Sequence, residues 1–131
     1  MIYGLGTDII NIERIAKTLA KFGARFTERT FTENEQAEIA AETGEAGRSA
    51  RAAKFFAAKE AAVKALGTGF RNGIGWRDVE VSHDELGKPL LKFSGAAAAR
   101  LASAAQGKTA VLHLSLSDDY PVATAVVIIE F

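Results

Sequence analysis

Apolar positions along the chain recur at two spacings, and the changes between them mark its elements. Ile2 to Ile10 is β-branched and aromatic in content and predicts a strand. Gly4 and Gly6 inside it predict a close backbone approach or a bulge. Ile12, Ile15, Leu19 and Phe22 then repeat at helical spacing behind Asn11, a good N-cap. Gly23 ends or interrupts that helix, and residues 25–30 are expected to form a short connecting element. Thr32-Glu33-Asn34-Glu35 has capping-box spacing and opens a second helix toward Glu42. Gly44 and Gly47 are expected to frame a loop before a long helix over 49–66. That helix is rich in Ala, Leu, Lys and Glu and is closed by Gly67.

Residues 67–75 hold four glycines and are flexible by composition. From Trp76 to Ser82, Val79 and Val81 alternate with Asp78 and Glu80, the pattern of a half-buried strand. His83 to Gly87 reads as a turn, and Lys88 to Phe93 as the returning arm of a hairpin. Ser94 caps an alanine-rich helix that closes at Gly107, residues 109–117 predict a strand, and 118–121 a turn. Val122 to Ile129 is apolar but for Thr124, so this last strand is expected to be covered on both faces. Helices on one side and subunit contacts on the other would achieve that. The pattern is α+β: a small antiparallel sheet packed with a long central helix and shorter helices, in a single domain over residues 1–131.

Charge sharpens this picture locally rather than in total. Sixteen basic residues balance sixteen acidic ones, which gives nonspecific nucleic-acid binding no support. Arg14, Lys17, Lys21 and Arg25 nevertheless form a stripe along one face of the first helix, followed by an acidic stretch from Glu33 to Glu45. Such a stripe is either a solvated face or a docking surface for an acidic partner. There is no cysteine, hence no disulfide framework and no thiolate chemistry. His83 and His113 are too few for a histidine zinc cluster. The N-terminus lacks a secretory pattern and no apolar run is long enough to span a bilayer, so a soluble cytoplasmic protein with no membrane partner is expected.

Three features invite chemistry. Asp8 is a carboxylate inside an apolar strand, read either as a cation ligand or as a capping residue at the strand end. Phe56, Glu60 and Lys64 follow at four-residue steps and share one helix ridge. Gly67-Thr68-Gly69 follows that ridge. Two carboxylates can hold a hard cation such as Mg²⁺, and a lysine one turn on can neutralise a phosphate oxygen. The alternative is a surface Glu–Lys pair worth about 0.3–0.5 kcal/mol. The residues by themselves point to a metal-dependent phosphate-handling site, with a non-catalytic oligomeric module that binds a nucleotide or coenzyme A as one rival and a purely structural interaction domain as the other.

At these same residues the sequence resembles the holo-[acyl-carrier-protein] synthase family, the small bacterial 4′-phosphopantetheinyl transferases. The resemblance lies in Gly4-x-Gly6-Thr7-Asp8-Ile9, in Phe56-Ala57-Ala58-Lys59-Glu60-Ala61 with Lys64 and Gly67-Thr68-Gly69, in Asp84-x-x-Gly87-Lys88-Pro89, and in His113 to Ser117. It spans essentially the whole chain in order. It implies transfer of 4′-phosphopantetheine from coenzyme A to a serine of apo acyl carrier protein, in support of fatty acid biosynthesis, with release of adenosine 3′,5′-bisphosphate. Residue by residue it implies Asp8 and Glu60 as Mg²⁺ ligands and Lys64 as the phosphate contact. Gly67, Thr68, Lys88 and Pro89 would line the coenzyme pocket. Arg14, Lys17, Lys21, Arg25, Phe26 and Arg29 would receive the carrier protein. The resemblance further implies a homotrimer with sites between subunits, and leaves the base for the carrier serine open between Glu60 and a metal-bound water. Two positions depart from the family pattern: Phe55 stands where many members have arginine, and Asp118 where many have histidine. No role is carried over to either, and His113 is expected to pack or line a pocket. Lys59 is expected to support the ridge rather than act on substrate.

Overall fold

The computed structural model describes residues 1–131. Five strands and five helices follow the order β1 (Ile2–Asn11), α1 (Ile12–Phe22), α2 (Ala24–Thr30), α3 (Glu33–Ala41), α4 (Gly44–Leu66), β2 (Val79–His83), β3 (Pro89–Phe93), α5 (Gly95–Ala105), β4 (Val111–Asp119) and β5 (Val122–Glu130). A single 3₁₀ turn, Trp76–Asp78, precedes β2. The strands form a three-stranded antiparallel sheet ordered β1-β5-β4 and a separate β2-β3 hairpin. No helix is long and apolar enough to cross a membrane.

Three caps are the expected ones, whereas Ser94 makes no side-chain cap bond to α5 and Gln106, in the left-handed conformation, closes that helix in place of Gly107. Asn11 accepts a hydrogen bond from the Glu13 N–H at 2.8 Å, and Thr32 and Glu35 complete a reciprocal capping box. Gly67 takes the left-handed conformation at φ +86° and returns its N–H to Val63 and Lys64.

Four boundaries differ from the sequence pattern. Residues 24–30 form a helix rather than a connector. The long helix begins at Gly44, so Gly47 lies inside it and only Glu42 and Thr43 separate α3 from its start. Glu42 explains the early start: its carboxylate accepts from Arg51 at 2.6 and 3.0 Å, and its carbonyl accepts from Arg48 at 3.3 Å. Those bonds fasten the first turns of α4 to the end of α3 and offset the glycine penalty of about 1 kcal/mol. Trp76 belongs to the 3₁₀ turn, not to β2. The β4–β5 turn narrows to Tyr120-Pro121, since Asp118 and Asp119 pair with Ala123 and Val122.

The core lies between α4 and one face of the sheet. Ala123, Ala125, Val127 and Ile129 of β5 are buried there, with Phe31, Phe55, Val63 and Leu66. The alternate residues of β5 face away, beside exposed Leu5, Ile9 and Val126. Within one chain, therefore, the last strand is covered by α4 on one face and left open on the face where subunit contacts are expected.

Gly4 and Gly6 set how closely β1 and α4 approach. A Cβ built on either would stand 1.8 Å from a helix carbonyl oxygen, that of Ala65 or Ala61. Backbone cannot yield as a flexible side chain can. Gly6→Ala is expected to cost about 3 kcal/mol or more. Gly47→Ala, whose Cβ would meet only ordinary contacts near Glu42, should stabilise by about 0.5–1 kcal/mol. Urea midpoints of both variants check the contrast, and a Gly6→Ala midpoint equal to that of the parent would contradict the packing argument.

Candidate active site

Asp8 shares the inward face of β1 with Gly4 and Gly6, and so comes alongside the helix that those glycines admit. Glu60 and Lys64 meet it there from α4. The Lys64 ammonium donates to the Asp8 carboxylate at 3.1 Å and to the Thr7 carbonyl at 3.0 Å. It remains 51% exposed, whereas Asp8 is largely covered. Glu60 is half-buried, and its carboxylate has no hydrogen-bond or ion-pair partner within the chain. Burial raises its pKa, the neighbouring Asp8 charge raises it further, and Lys64 and Arg14 act in opposition. Asp8 is thus brought together with Glu60 and Lys64, and it is not a strand-end cap.

Past Gly67 the chain turns on left-handed residues at Gly69, Asn72 and Gly73. The Thr68 and Gly69 N–H groups both return to the Val63 carbonyl at 3.2 Å, and the Thr68 hydroxyl donates to the Gly69 carbonyl at 2.8 Å. Phe70 then stacks on Trp76 with ring centroids 4.0 Å apart, and Trp76 stacks on Phe56 at 4.7 Å. Phe56 is the ridge residue one turn before Glu60. Hence Gly67 and Thr68 adjoin the Asp8–Glu60–Lys64 cluster by chain connection, and an aromatic stack closes their loop.

Lys88 and Pro89 are placed elsewhere. Gly87 and Pro89 line a cavity of about 430 Å³ with Glu38, Arg51, Lys54, His83 and Leu116. In the sheet register Asp8 pairs with Ala125, and Ala125 with Leu116. Asp8 and this cavity therefore lie on opposite edges of the three-stranded sheet, about 10 Å apart by strand spacing alone. Each basic side chain of the cavity already has an acidic partner: Arg51 with Glu42 at 2.6 Å, Lys54 with Asp118 at 3.0 Å, His83 with Glu38 at 2.9 Å. The sequence reading missed Arg51, Lys54 and Glu38, because pairs formed between α3, α4 and the two sheets leave no local spacing to detect. Phe55, at the family's arginine position, is fully buried in the core, and Asp118 is occupied with Lys54. His113 contacts Glu130 at 2.9 Å on the open face of the sheet and lines neither region.

Arg14, Lys17, Lys21, Arg25 and Arg29 are all exposed, and none of these five joins the chain's ion pairs. Phe26 is half-buried between Phe31 and Phe56, at 5.6 and 6.3 Å between ring centroids. The stripe is continuous with the acidic cluster, since Arg14 is close enough to influence Glu60.

No third histidine, cysteine or carboxylate joins Asp8 and Glu60. Two oxygen donors whose charges oppose one another fit a hard divalent cation that completes its shell with water and substrate oxygens. Without such an ion the like charges work against the fold. Above its raised folded-state pKa, the Glu60 carboxylate is less favourable in the folded than in the unfolded chain. That penalty lifts as pH falls through the raised value. Glu60→Gln is accordingly expected to raise the melting temperature in chelator at about pH 7, with the gain fading toward about pH 4 as the parent carboxyl takes up its proton. Thermal scans across pH check the sign.

Comparison with known proteins identifies the family. The family model of the 4′-phosphopantetheinyl transferase superfamily matches residues 4–125. The holo-[acyl-carrier-protein] synthase of Paramagnetospirillum magneticum is 54% identical, over 99% of this chain and 97% of that protein. The crystal structure of the Neisseria meningitidis holo-[acyl-carrier-protein] synthase superposes with a TM-score of 0.81 at 37% identity and covers all of both chains. The Bacillus anthracis synthase, solved in complex with CoA (3′,5′-ADP), gives 0.80 at 38% identity over 99% of this chain and 97% of that one. A match that takes in β1, the whole of α4 and both arms of the hairpin leaves one conclusion: the chain belongs to the 4′-phosphopantetheinyl transferase superfamily.

Proposed function

We propose that this chain is a holo-[acyl-carrier-protein] synthase that moves 4′-phosphopantetheine from coenzyme A to a serine of apo acyl carrier protein. One observation carries the reading. Asp8, Glu60 and Lys64 converge from β1 and α4 beside a glycine-rich loop, with a row of free cations next to them. The names of the similar proteins supply the substrates. Residues 1–131 act as one transferase domain, in the cytoplasm and in the service of fatty acid synthesis.

In the reaction the serine oxygen forms a new bond to the pantetheine-bearing phosphorus, and the bond from that phosphorus to the bridging oxygen breaks. Adenosine 3′,5′-bisphosphate leaves. Lys64 is half-exposed and held by a single carboxylate oxygen and a carbonyl, so it can turn to an arriving phosphate as a mobile positive charge. Glu60 is the carboxylate of the cluster that is not committed to Lys64, and we assign it the serine proton. Gly67 and Thr68 line the coenzyme. Asp8 and Glu60 would also hold Mg²⁺, which when bound supplies charge neutralisation across the pyrophosphate.

The split across the sheet completes the proposal. Pro89, with Arg51 and Lys54, lines a second region two strands across the sheet from the Asp8 cluster, and Lys88 adjoins it in the chain. We place the whole site between subunits of a homotrimer, in which the uncovered sheet face with Leu5, Ile9 and Val126 is buried. Arg14, Lys17, Lys21, Arg25, Phe26 and Arg29 then present an acidic carrier protein to the serine-binding end of the site.

Intact mass of an apo acyl carrier protein incubated with coenzyme A and Mg²⁺ tests the reading. One added phosphopantetheine, lost with chelator, is the expected result; no addition by an enzyme that still binds coenzyme A would overturn it. Asp8→Asn and Glu60→Gln should each lower the rate by about 100-fold or more while staying folded. Charge reversal at Arg14 together with Lys21 should raise KM for the carrier protein and leave KM for coenzyme A unchanged. An equal rise in both would remove the docking role of the stripe.

A further inference from the structure

We propose that Lys59 is a positioning residue for transfer: its buried ammonium fixes the exit of the glycine-rich loop through the Trp76 carbonyl, and so sets where Thr68 meets the coenzyme. The inference rests on the transferase reading above.

Lys59 precedes Glu60 but lies on a different side of α4, and its side chain is fully buried. Packing alone does not account for it, because an unbranched apolar residue would fill the space without taking a charge out of water. The ammonium has three N–H donors and three partners. It meets the Glu35 carboxylate at 2.7 Å, the Trp76 carbonyl at 3.0 Å and the Val79 carbonyl. Glu35 is equally committed, accepting from the Thr32 N–H at 2.9 Å and the Val81 N–H at 2.7 Å. Nothing buried in this network lacks a partner, so the network has one arrangement rather than several.

What it holds is the far end of the loop. Residues 67–75 turn on left-handed glycines and Asn72 and make few bonds of their own. One end is tied to α4 by the Gly67 cap. The other end enters the 3₁₀ turn at Trp76, the residue whose carbonyl Lys59 grips. The ring of Trp76 lies between Phe70 and Phe56. Phe70 follows Thr68 and Gly69 directly, and Phe56 shares the ridge of Glu60 and Lys64. A single rigid path thus runs from the buried ammonium through Trp76 to the loop and back to the ridge.

Trp76 is the only tryptophan in the chain, so its fluorescence reports this path directly. Lys59→Met should fold, shift the emission to longer wavelength and admit more acrylamide quenching. It should raise KM for coenzyme A about tenfold, and leave KM for the carrier protein within about twofold. Phe70→Ala breaks the stack at the loop itself and should reproduce the kinetic split. A folded Lys59→Met with parental emission and parental KM for coenzyme A overturns the proposal. So does an equal rise in both KM values, or a Phe70→Ala variant with unaltered coenzyme use. If Lys59→Met does not fold, the double variant Lys59→Met with Glu35→Leu leaves no buried charge unpaired and is read by the same criteria. A parent enzyme that transfers nothing counts against the transferase reading, whereas the emission of Lys59→Met still decides whether Lys59 sets Trp76.

Discussion

The closeness of β1 to α4 is the constraint on which the rest of this structure depends. Two residues without side chains, Gly4 and Gly6, let helix carbonyls come where a Cβ would otherwise be. Alanines at 57, 58, 61, 62 and 65 keep the facing side of α4 equally thin. Asp8 is drawn next to the helix as a result, and Glu60 and Lys64 can meet it with short reach. A larger residue at either glycine would push the helix outward and separate the three charges. The same contact therefore belongs to the core and to the site.

Two lysines five residues apart on α4 show how environment decides what a charge can do. Lys64 is half-exposed, and a pair of that kind is worth at most about 1 kcal/mol, so its grip on Asp8 is easily exchanged for a phosphate. Lys59 is fully buried and paired. Burial lowers its pKa while Glu35 holds the charged form in place. Breaking that pair by removing one partner would cost about 3–5 kcal/mol. One is suited to move and the other to stay.

Local rules made much of this legible in the sequence. The caps at Asn11, Thr32 and Gly67 stand where their residue types put them, and the close approach at Gly4 and Gly6 followed from glycine inside a strand. The Glu60–Lys64 ridge was visible as a four-residue step. The partnership of Asp8 with it was not a matter of spacing, since it spans 56 residues and depends on how a strand lies on a helix. The start of α4 was misplaced because Glu42, a residue outside the helix, stabilises its first turns. Glu35 appeared only as a capping residue. Its second oxygen, committed to the Val81 N–H 46 residues away, is what makes it the anchor of Lys59. Long-range pairs of this kind leave no periodicity.

The placement of the Asp8 cluster and the Lys54 cavity on opposite sheet edges has a consequence in genetic terms. When neighbouring subunits share a site, a lesion at Asp8 and a lesion at Lys54 disable different halves of it. A mixed assembly of the two defective chains contains interfaces at which both halves are intact. Two alleles that are each inactive alone would then complement one another in a single cell, whereas two alleles damaged in the same half would not.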